Sequence, residues 1–565
     1  MGHGHDHAHH HHDEVGSDLP AALDLSTPDA ELNADDRSRR AFLRRAGLLG
    51  AGVATAGALA GAGAGAVPAA AHGKDNHDDG KGGDLKWLAG DHHIHTLYSS
   101  DAMYRVLDQA QHARAYGLDW MVITDHGSSA HAKIGVEKVN PDIVGAREAF
   151  KDLLIFQGLE WNIPAAEHGT VFVHPGRNEV SVLKQFENDY DSSVNDAGAS
   201  TPANEALAIA GLNFLKDSVR RGKVEHALFL ANHPARNGLD SPHEFRGWRD
   251  TAPGIAIGME GAPGHQAAGL AAPAGPGSAR GFYGNSPSAN SFPYPLESYR
   301  TWGGFDWFTS TVGGLWDSLL AEGKPWWITA NSDAHTIFLE TAVRGNTDFN
   351  ANGYYLDPVH GGTPNTTNGD FWPGYYSKTH VGATADSYKA VMDGLRLGRV
   401  WVDHGGLLDG LDVRVRTAGS RSGGTPLGGT LAVRRGTAVE LVISIDLAVL
   451  PNWAEFVPKL ARVDVITGQV TGKPADVDTF TAPTARVAKS FEVGTGRRTV
   501  SFTYGLGRLD KPFYVRVRGT DGNRTAPGYL GSSVDPEGPA IDVVGDADPW
   551  KDLWFYTNPI WVVAR

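Results

Sequence analysis

The segment GDHHIHTLYSSD, residues 90–101, concentrates imidazole and carboxylate side chains in a short part of the chain. In an extended strand alternate residues face the same side, so Asp91, His93 and His95 share one face and His92 lies on the other. Neutral imidazole nitrogens are good ligands for zinc-like ions, and an H-x-H pair can bind one metal. Because an isolated pair also fits a polar strand end, the metal-site interpretation depends on matching ligands further along the chain.

Further candidate ligands follow short apolar runs that are typical of buried strands. A solvated polar face does not explain the pattern, because apolar residues precede each polar one within the same run. The carboxyl ends of parallel strands meet at one mouth of an α/β barrel, where the active sites of that architecture lie. The strand-end candidates are His93, His95, Asp125, His126, Glu160, His233, Glu260, Asp333 and His335. The sequence therefore predicts that these side chains converge on one site.

The elements that would position these residues alternate between apolar runs and amphipathic stretches, which predicts an α/β fold over residues 87–404. A polar, Gly-rich linker precedes it at 72–86, and the Gly/Pro/Ser/Ala-rich stretch 262–304 predicts an excursion over the mouth or a disordered insert. Period-two alternation over residues 405–545 predicts an antiparallel β-sandwich. The aromatic tail, 546–565, is expected to pack back onto the body.

Length, charge and cysteine content exclude several kinds of function. A chain of 565 residues suggests two or three domains. Its formal net charge of −15 argues against nucleic acid or an anionic membrane as the main partner. The absence of cysteine excludes disulfides, thiolate ligands and a cysteine nucleophile, which leaves His, Asp and Glu for any metal.

Residues 1–71 resemble a twin-arginine export signal. SRRAFLRR precedes an uncharged Ala/Gly-rich run and an A-x-A site, so we expect cleavage after Ala71 and an extracellular or cell-envelope location, without stable membrane insertion afterwards. A membrane anchor is the alternative, for which the Gly and Ala content is poorly suited. The histidine tract near the start, which also fits an expression tag or neutral drift, receives no catalytic role.

Five motifs, taken together and in order, resemble the polymerase and histidinol phosphatase (PHP) family. They are D-x-H-x-H-T-x-x-S-x-D from Asp91, then ITDH, GLE, NHP and SDAH. The resemblance covers roughly residues 87–404 and implies a distorted (βα)7 barrel that holds two or three divalent ions, usually zinc, manganese or iron. The type implied is the exported one with a C-terminal β domain, similar to carbaryl hydrolase.

The resemblance also implies which residues hold each metal. The first metal would be held by His93, His95 and Asp333, with Glu160 bridging to the second, which His168 and His233 complete, while Asp101, His126 and His335 hold a third. His168 is preferred to His174 because it starts its strand eight residues after Glu160. Asp101 replaces a histidine found in some relatives, which could weaken or change the third ion.

Other residues are assigned supporting roles. Asp91 and Asp125 are interpreted as acceptors that orient imidazoles, and Asp125 is carried as a candidate catalytic residue together with Arg236. Arg236 follows NHP and could clamp an anionic substrate oxygen bidentately, although a purely structural role fits it equally well. The remaining candidates are Glu260, as an orienting or plain strand-end carboxylate, and His265 and His380, which have weaker claims near the mouth.

Three functions fit this pattern. The first is hydrolysis of phosphate esters, in which a water shared by two metals loses its proton near neutral pH and attacks phosphorus. The second uses the same site on carbamate or carboxylic esters, with the aromatic stretches YRTWGGFDWF and DFWPGYYS walling an apolar pocket. The third is a non-catalytic secreted protein that binds metal or carbohydrate. We expect the first, with a small-molecule ester as partner and no nucleic acid; the oligomeric state stays open.

Overall fold

The computed structural model describes residues 85–494, 497–523 and 535–565. The predicted export signal and nearly all of the predicted linker lie outside these residues, so both stay predictions. Over the part of the chain that is described, no helix is long and apolar enough to cross a membrane.

Seven strands of a larger sheet carry the strand-end candidates. They are β1 (Lys86–Ile94), β2 (Trp120–Ile123), β3 (Leu154–Asn162), β4 (His168–Val173), β5 (Ala227–Ala231), β6 (Ala256–Ala262) and β7 (Trp327–Ala330). Each is hydrogen-bonded to the next in chain order. The pairs β1–β2, β2–β3, β5–β6 and β6–β7 are parallel. A parallel bridge between Ile94 and Ala334 joins the end of β1 to the segment after β7.

Strand β4 runs against its neighbours on both sides. It forms a hairpin with β3 in which His168 lies opposite Asn162, and it also pairs antiparallel with β5. The first residue of β4 therefore lies at the edge where β3 and β5 end. The strict alternation of strand and helix expected of a (βα)7 barrel is interrupted here, within an architecture that is mixed α/β.

Helices cover the strands through apolar faces, most of which pack in one large core, while the first helix packs in a second, smaller cluster. The α-helices are α1 (Val106–Ala115), α2 (His131–Ala149), α3 (Glu179–Tyr190), α4 (Ser192–Asn195), α5 (Pro202–Arg220), α6 (Pro242–Thr251), α7 (Trp307–Ser310), α8 (Leu315–Leu320), α9 (Phe349–Asn352) and α10 (Tyr388–Arg396). Helix α6 begins at a capping box, since Ser241 accepts from the Glu244 backbone and Glu244 accepts from Ser241. Its buried Trp248 packs on Phe229 of β5.

The C-terminal part is built mainly from antiparallel strands. After β8 (Ser377–Ala383) and β9 (Val400–His404) come β10 (Leu408–Thr417), β11 (Thr425–Pro426), β12 (Thr430–Val433), β13 (Ala438–Leu447), β14 (Arg462–Gln469), β15 (Arg486–Glu492), β16 (Thr499–Arg508), β17 (Phe513–Thr520), β18 (Trp554–Thr557) and β19 (Ile560–Ala564). Strands β11, β10, β13 and β16 form a separate antiparallel sheet. Its inward residues, such as Val413 and Ile443, share a core with Val465 and Val517 of the other sheet.

The aromatic tail joins the two parts of the protein. Strand β18 pairs antiparallel with β9 on one side and with β17 on the other. The large sheet therefore continues without interruption across the predicted boundary between residues 404 and 405. The tail packs onto the body as strands of this sheet.

Candidate metal site

The structure brings the nine predicted ligands together at the strand ends. Donor atoms of three overlapping groups lie within 4.8 Å of one another: His93, His95, Glu160 and Asp333; His95, His126 and His335; and His126, Glu160 and His168. Nε2 of His233 lies 3.2 Å from Glu160 Oε1. The Asp101 carboxylate lies 3.3 Å from His126 Nε2 and 3.5 Å from His335 Nε2.

The end of β1 presents two imidazoles to the same point. His93 and His95 are both fully buried, and their Nε2 atoms lie 2.9 Å apart. Two imidazole lone pairs at that distance repel unless a proton or a cation lies between them. His92 points to the other face, where its Nε2 lies 2.8 Å from Thr329 Oγ1. Burial lowers the pKa of the His92 imidazole to about 4, so it is neutral near pH 7.

Glu160 lies at the centre of the cluster, and its two oxygens face different imidazoles. Oε1 lies 3.1 Å from His93 Nε2 and 3.2 Å from His168 Nδ1. Oε2 lies 2.9 Å from His126 Nδ1 and 3.2 Å from His95 Nε2. Burial raises the pKa of Glu160, but the surrounding imidazoles outweigh it and lower that pKa well below its ordinary value. An ionised carboxylate placed in this way can bridge two cations.

The donor set fits divalent cations. Glu160 Oε2, Asp333 Oδ1 and His168 Nδ1 are buried, and despite the short distances to neighbouring atoms none of them has hydrogen-bond geometry with a described residue. Buried polar atoms almost always have a partner, so we expect these three atoms to bind one that the described residues do not supply, such as a cation. Imidazole nitrogens and carboxylate oxygens suit zinc, manganese or iron, and the chain offers no thiolate.

One edge of the cluster is open to solvent. The side chain of Asp101 is 54% exposed and that of His168 is 25% exposed, whereas Glu160 is 1% exposed. A substrate would therefore reach the cluster from the side of Asp101, His126 and His168. The opposite side is closed by the strands.

Asp125 and Asp91 lie behind the ligands. Asp125 accepts a hydrogen bond from Ser99 Oγ at 2.9 Å, and that hydroxyl lies 2.9 Å from His95 Nδ1. Asp125 therefore positions His95 through Ser99 and does not face the other donors directly. Asp91 accepts from the backbone N–H groups of His93 and Ser332, which ties the end of β1 to the segment before Asp333.

Arg236 is paired inside the protein. Its Nη2 lies 2.8 Å from Glu167 Oε1, so the guanidinium has a carboxylate partner, and its role as a clamp for a substrate oxygen stays a prediction. Glu167 was missed by the sequence analysis. The same oxygen accepts from Asn237 and lies 3.2 Å from His233 Nδ1, with which it forms no hydrogen bond, so Glu167 places a carboxylate charge beside His233. Its only sequence signal is that it directly precedes His168.

Glu260 supports two ligands at once. Its Oε1 lies 2.7 Å from His93 Nδ1, and its Oε2 accepts from the His233 backbone N–H at 2.7 Å. His174 lies at the other end of β4, where its ring contacts Pro175 and His226 and not the cluster. His380 pairs with Asp403 at 2.8 Å and stacks on Trp401, also away from the site.

We expect Glu260→Gln to weaken cation binding by about 10–100-fold, the effect typical of lost partners behind metal-binding histidines. The amide cannot fix the His93 tautomer as a carboxylate does. A competition titration of zinc against a chelator of known affinity measures the change. Unchanged affinity would show that Glu260 does not orient His93.

The similarity of the chain to known proteins is low. No protein-family model and no curated protein matches the chain. A solved two-domain protein from Bacteroides vulgatus, described as containing a predicted PHP-like metal-dependent phosphoesterase, is 14% identical with a TM-score of 0.31, covering 83% of this chain and 98% of its own. Endonuclease Q bound to a 27-mer duplex with an abasic lesion is 14% identical with a TM-score of 0.18, covering 31% of this chain and 42% of its own. Similarities this low carry no argument about activity.

Proposed function

We propose that the protein is a metal-dependent hydrolase of phosphate esters. The observation that carries the proposal is a buried cluster of imidazoles around Glu160 that is open to solvent at Asp101, His126 and His168. Divalent cations bound there would supply Lewis acidity and a water of lowered pKa. The order of motifs that resembles the PHP family agrees with this proposal.

The residues of the chain hold the site in one geometry. Glu160 presents one oxygen to each half of the cluster, and Asp333 Oδ1 lies 3.1 Å from His93 Nε2 and 3.2 Å from His95 Nε2. His93 and His95 are held from behind by Glu260 and Ser99, so they need little rearrangement when a charged group binds. A phosphate group would approach the open edge, where Asp101 and His126 would hold a cation that supplies positive charge opposite its oxygens.

The aromatic stretches favour phosphate over a carbonyl ester. An apolar pocket walled by residues 299–308 and 370–377 was the feature expected for carbamates. Trp307 is 1% exposed, Phe308 is 0% exposed and Phe371 is 7% exposed, because these side chains pack in the cores. These three side chains therefore serve core packing. A protein that only binds metal has no need to retain every predicted ligand, and here all nine are present.

Initial rates with metal-reconstituted protein test the proposal. We expect the zinc- or manganese-loaded chain to hydrolyse a phosphomonoester or a phosphodiester, and a chelator or His93→Ala to remove that turnover. The aryl carbamate measured in parallel should react more slowly. Turnover of the carbamate alone would assign the protein to the carbonyl-ester hydrolases, and no turnover by a metal-loaded protein would contradict the proposal.

A further inference from the structure

Three of the predicted imidazole ligands share one arrangement. His93, His95 and His233 each direct Nε2 into the cluster. The Nδ1 atoms of His93 and His95 are held from behind by Glu260 at 2.7 Å and Ser99 at 2.9 Å, and Glu167 lies 3.2 Å from His233 Nδ1 without a hydrogen bond. Such a partner on the second nitrogen fixes the tautomer and the ring orientation of a metal-binding histidine.

His265, which no predicted metal includes, repeats this arrangement. Its Nδ1 lies 2.5 Å from Asp370 Oδ1, and its Nε2 lies 2.7 Å from Asp333 Oδ2. Asp370 is itself fixed, because its Oδ2 accepts from the backbone N–H groups of His335 and Thr336 at 2.7 Å each. Donor atoms of His265, Asp333 and His335 lie within 4.8 Å of one another.

The backbone is shaped to bring His265 to Asp333. A Cβ atom at Gly264 would lie 2.2 Å from Asp333 Cβ and 2.2 Å from the Ser332 carbonyl oxygen, so only glycine permits this approach. The His265 N–H donates to that carbonyl at 3.2 Å. His265 at φ 52° and Asp333 at φ 46° both adopt the left-handed conformation. Non-glycine residues rarely do so, and such strain concentrates at functional sites.

We propose that His265 is a cation ligand and that, with Asp333 and His335, it forms a divalent-cation position on the Oδ2 side of Asp333, where His335 serves this cation and not the predicted third ion, because a neutral imidazole has one free lone pair. Asp333 would then bridge two positions, because its Oδ1 faces His93 and His95 while its Oδ2 faces His265. Two imidazoles and one carboxylate are a donor set that zinc accepts, with a fourth position left for water. The role of this cation in hydrolysis rests on the proposed function, but its binding does not.

Zinc titration of the full-length protein tests the site without any turnover. His265→Gln is expected to lose one equivalent of bound zinc, or to bind one equivalent at least about tenfold more weakly. Cobalt substitution gives a second readout, since the visible absorption of one cobalt equivalent should change. The matched control is His380→Gln, which removes another histidine–carboxylate pair, with Nε2 2.8 Å from Asp403, and should bind metal as the wild type does.

Unchanged zinc binding by the His265→Gln variant would contradict the proposed site. If His265→Gln binds the same number of zinc ions with the same affinities, then His265 is only a protonated link between Asp370 and Asp333. Should this variant fold poorly by circular dichroism, Asp370→Asn keeps the side-chain shape and must weaken the same zinc equivalent for the proposal to stand. Zinc bound in the expected number by a wild-type protein without esterase activity would contradict the proposed function and leave this site intact.

Discussion

Glu160→Gln is expected to abolish hydrolysis and to remove at least one tightly bound cation. The carboxylate faces His93, His168 and His233 with one oxygen and His95 and His126 with the other. An amide carries no charge and offers a single acceptor oxygen, so it cannot bridge two cations. We expect kcat/KM to fall by about 10³-fold or more, as for the loss of a central electrostatic group, which is ~4 kcal/mol in activation free energy.

Glu187→Gln is the matched control for this experiment. Glu187 is fully buried, and its Oε1 lies 2.7 Å from His131 Nδ1, so it forms a glutamate–histidine pair outside the cluster. Metal content by elemental analysis and initial rates should be those of the wild type in this variant. A Glu160→Gln protein that keeps its metal content and its rate would remove Glu160 from the centre of the site.

The second large effect is on stability. Asp317 of α8 and Arg516 of β17 are both fully buried, with Nη2 to Oδ2 at 2.8 Å and Nε to Oδ1 at 3.0 Å. Asp317 also accepts from the Tyr514 hydroxyl and the Gly313 N–H. Asp317→Asn leaves the Arg516 charge buried without a counter-charge, so we expect the free energy of unfolding to fall by about 3–5 kcal/mol.

Urea denaturation measures this change. Asp386→Asn is the control, because Asp386 pairs with Lys86 at the surface, where both side chains are 60% exposed. Exposed pairs contribute about 0–1 kcal/mol, so the control should unfold close to the wild-type midpoint. Equal midpoints for the two variants would show that the ion pair between α8 and β17 does not hold the C-terminal strands to the rest of the protein.

Much of the site follows from local sequence, since an apolar run that ends in His, Asp or Glu places that residue at a strand end. His168 is instructive because it begins its strand. It reaches the cluster only because β4 runs antiparallel to β3 and β5, and spacing alone does not reveal a strand's direction. The assignment of His168 as a ligand therefore rests on the order of motifs that resembles the PHP family.

The supporting residues could not be predicted in this way. Asp370 and His265 are 105 positions apart in the chain, so their contact depends on the packing of two loops. The left-handed backbone at Asp333 leaves no trace in residue type. Likewise, period-two alternation predicts strands from residue 405 onward but not that β18 would pair with β9 and continue the first sheet.

The central claim is that the imidazole and carboxylate cluster around Glu160 holds divalent cations. Anomalous diffraction from crystals of the full-length protein grown with zinc tests it most directly. We predict anomalous peaks about 2.0–2.2 Å from the carboxylate oxygens of Glu160 and Asp333, the usual zinc–oxygen distance. Zinc peaks elsewhere on the protein, with none within bonding distance of Glu160, would contradict the account.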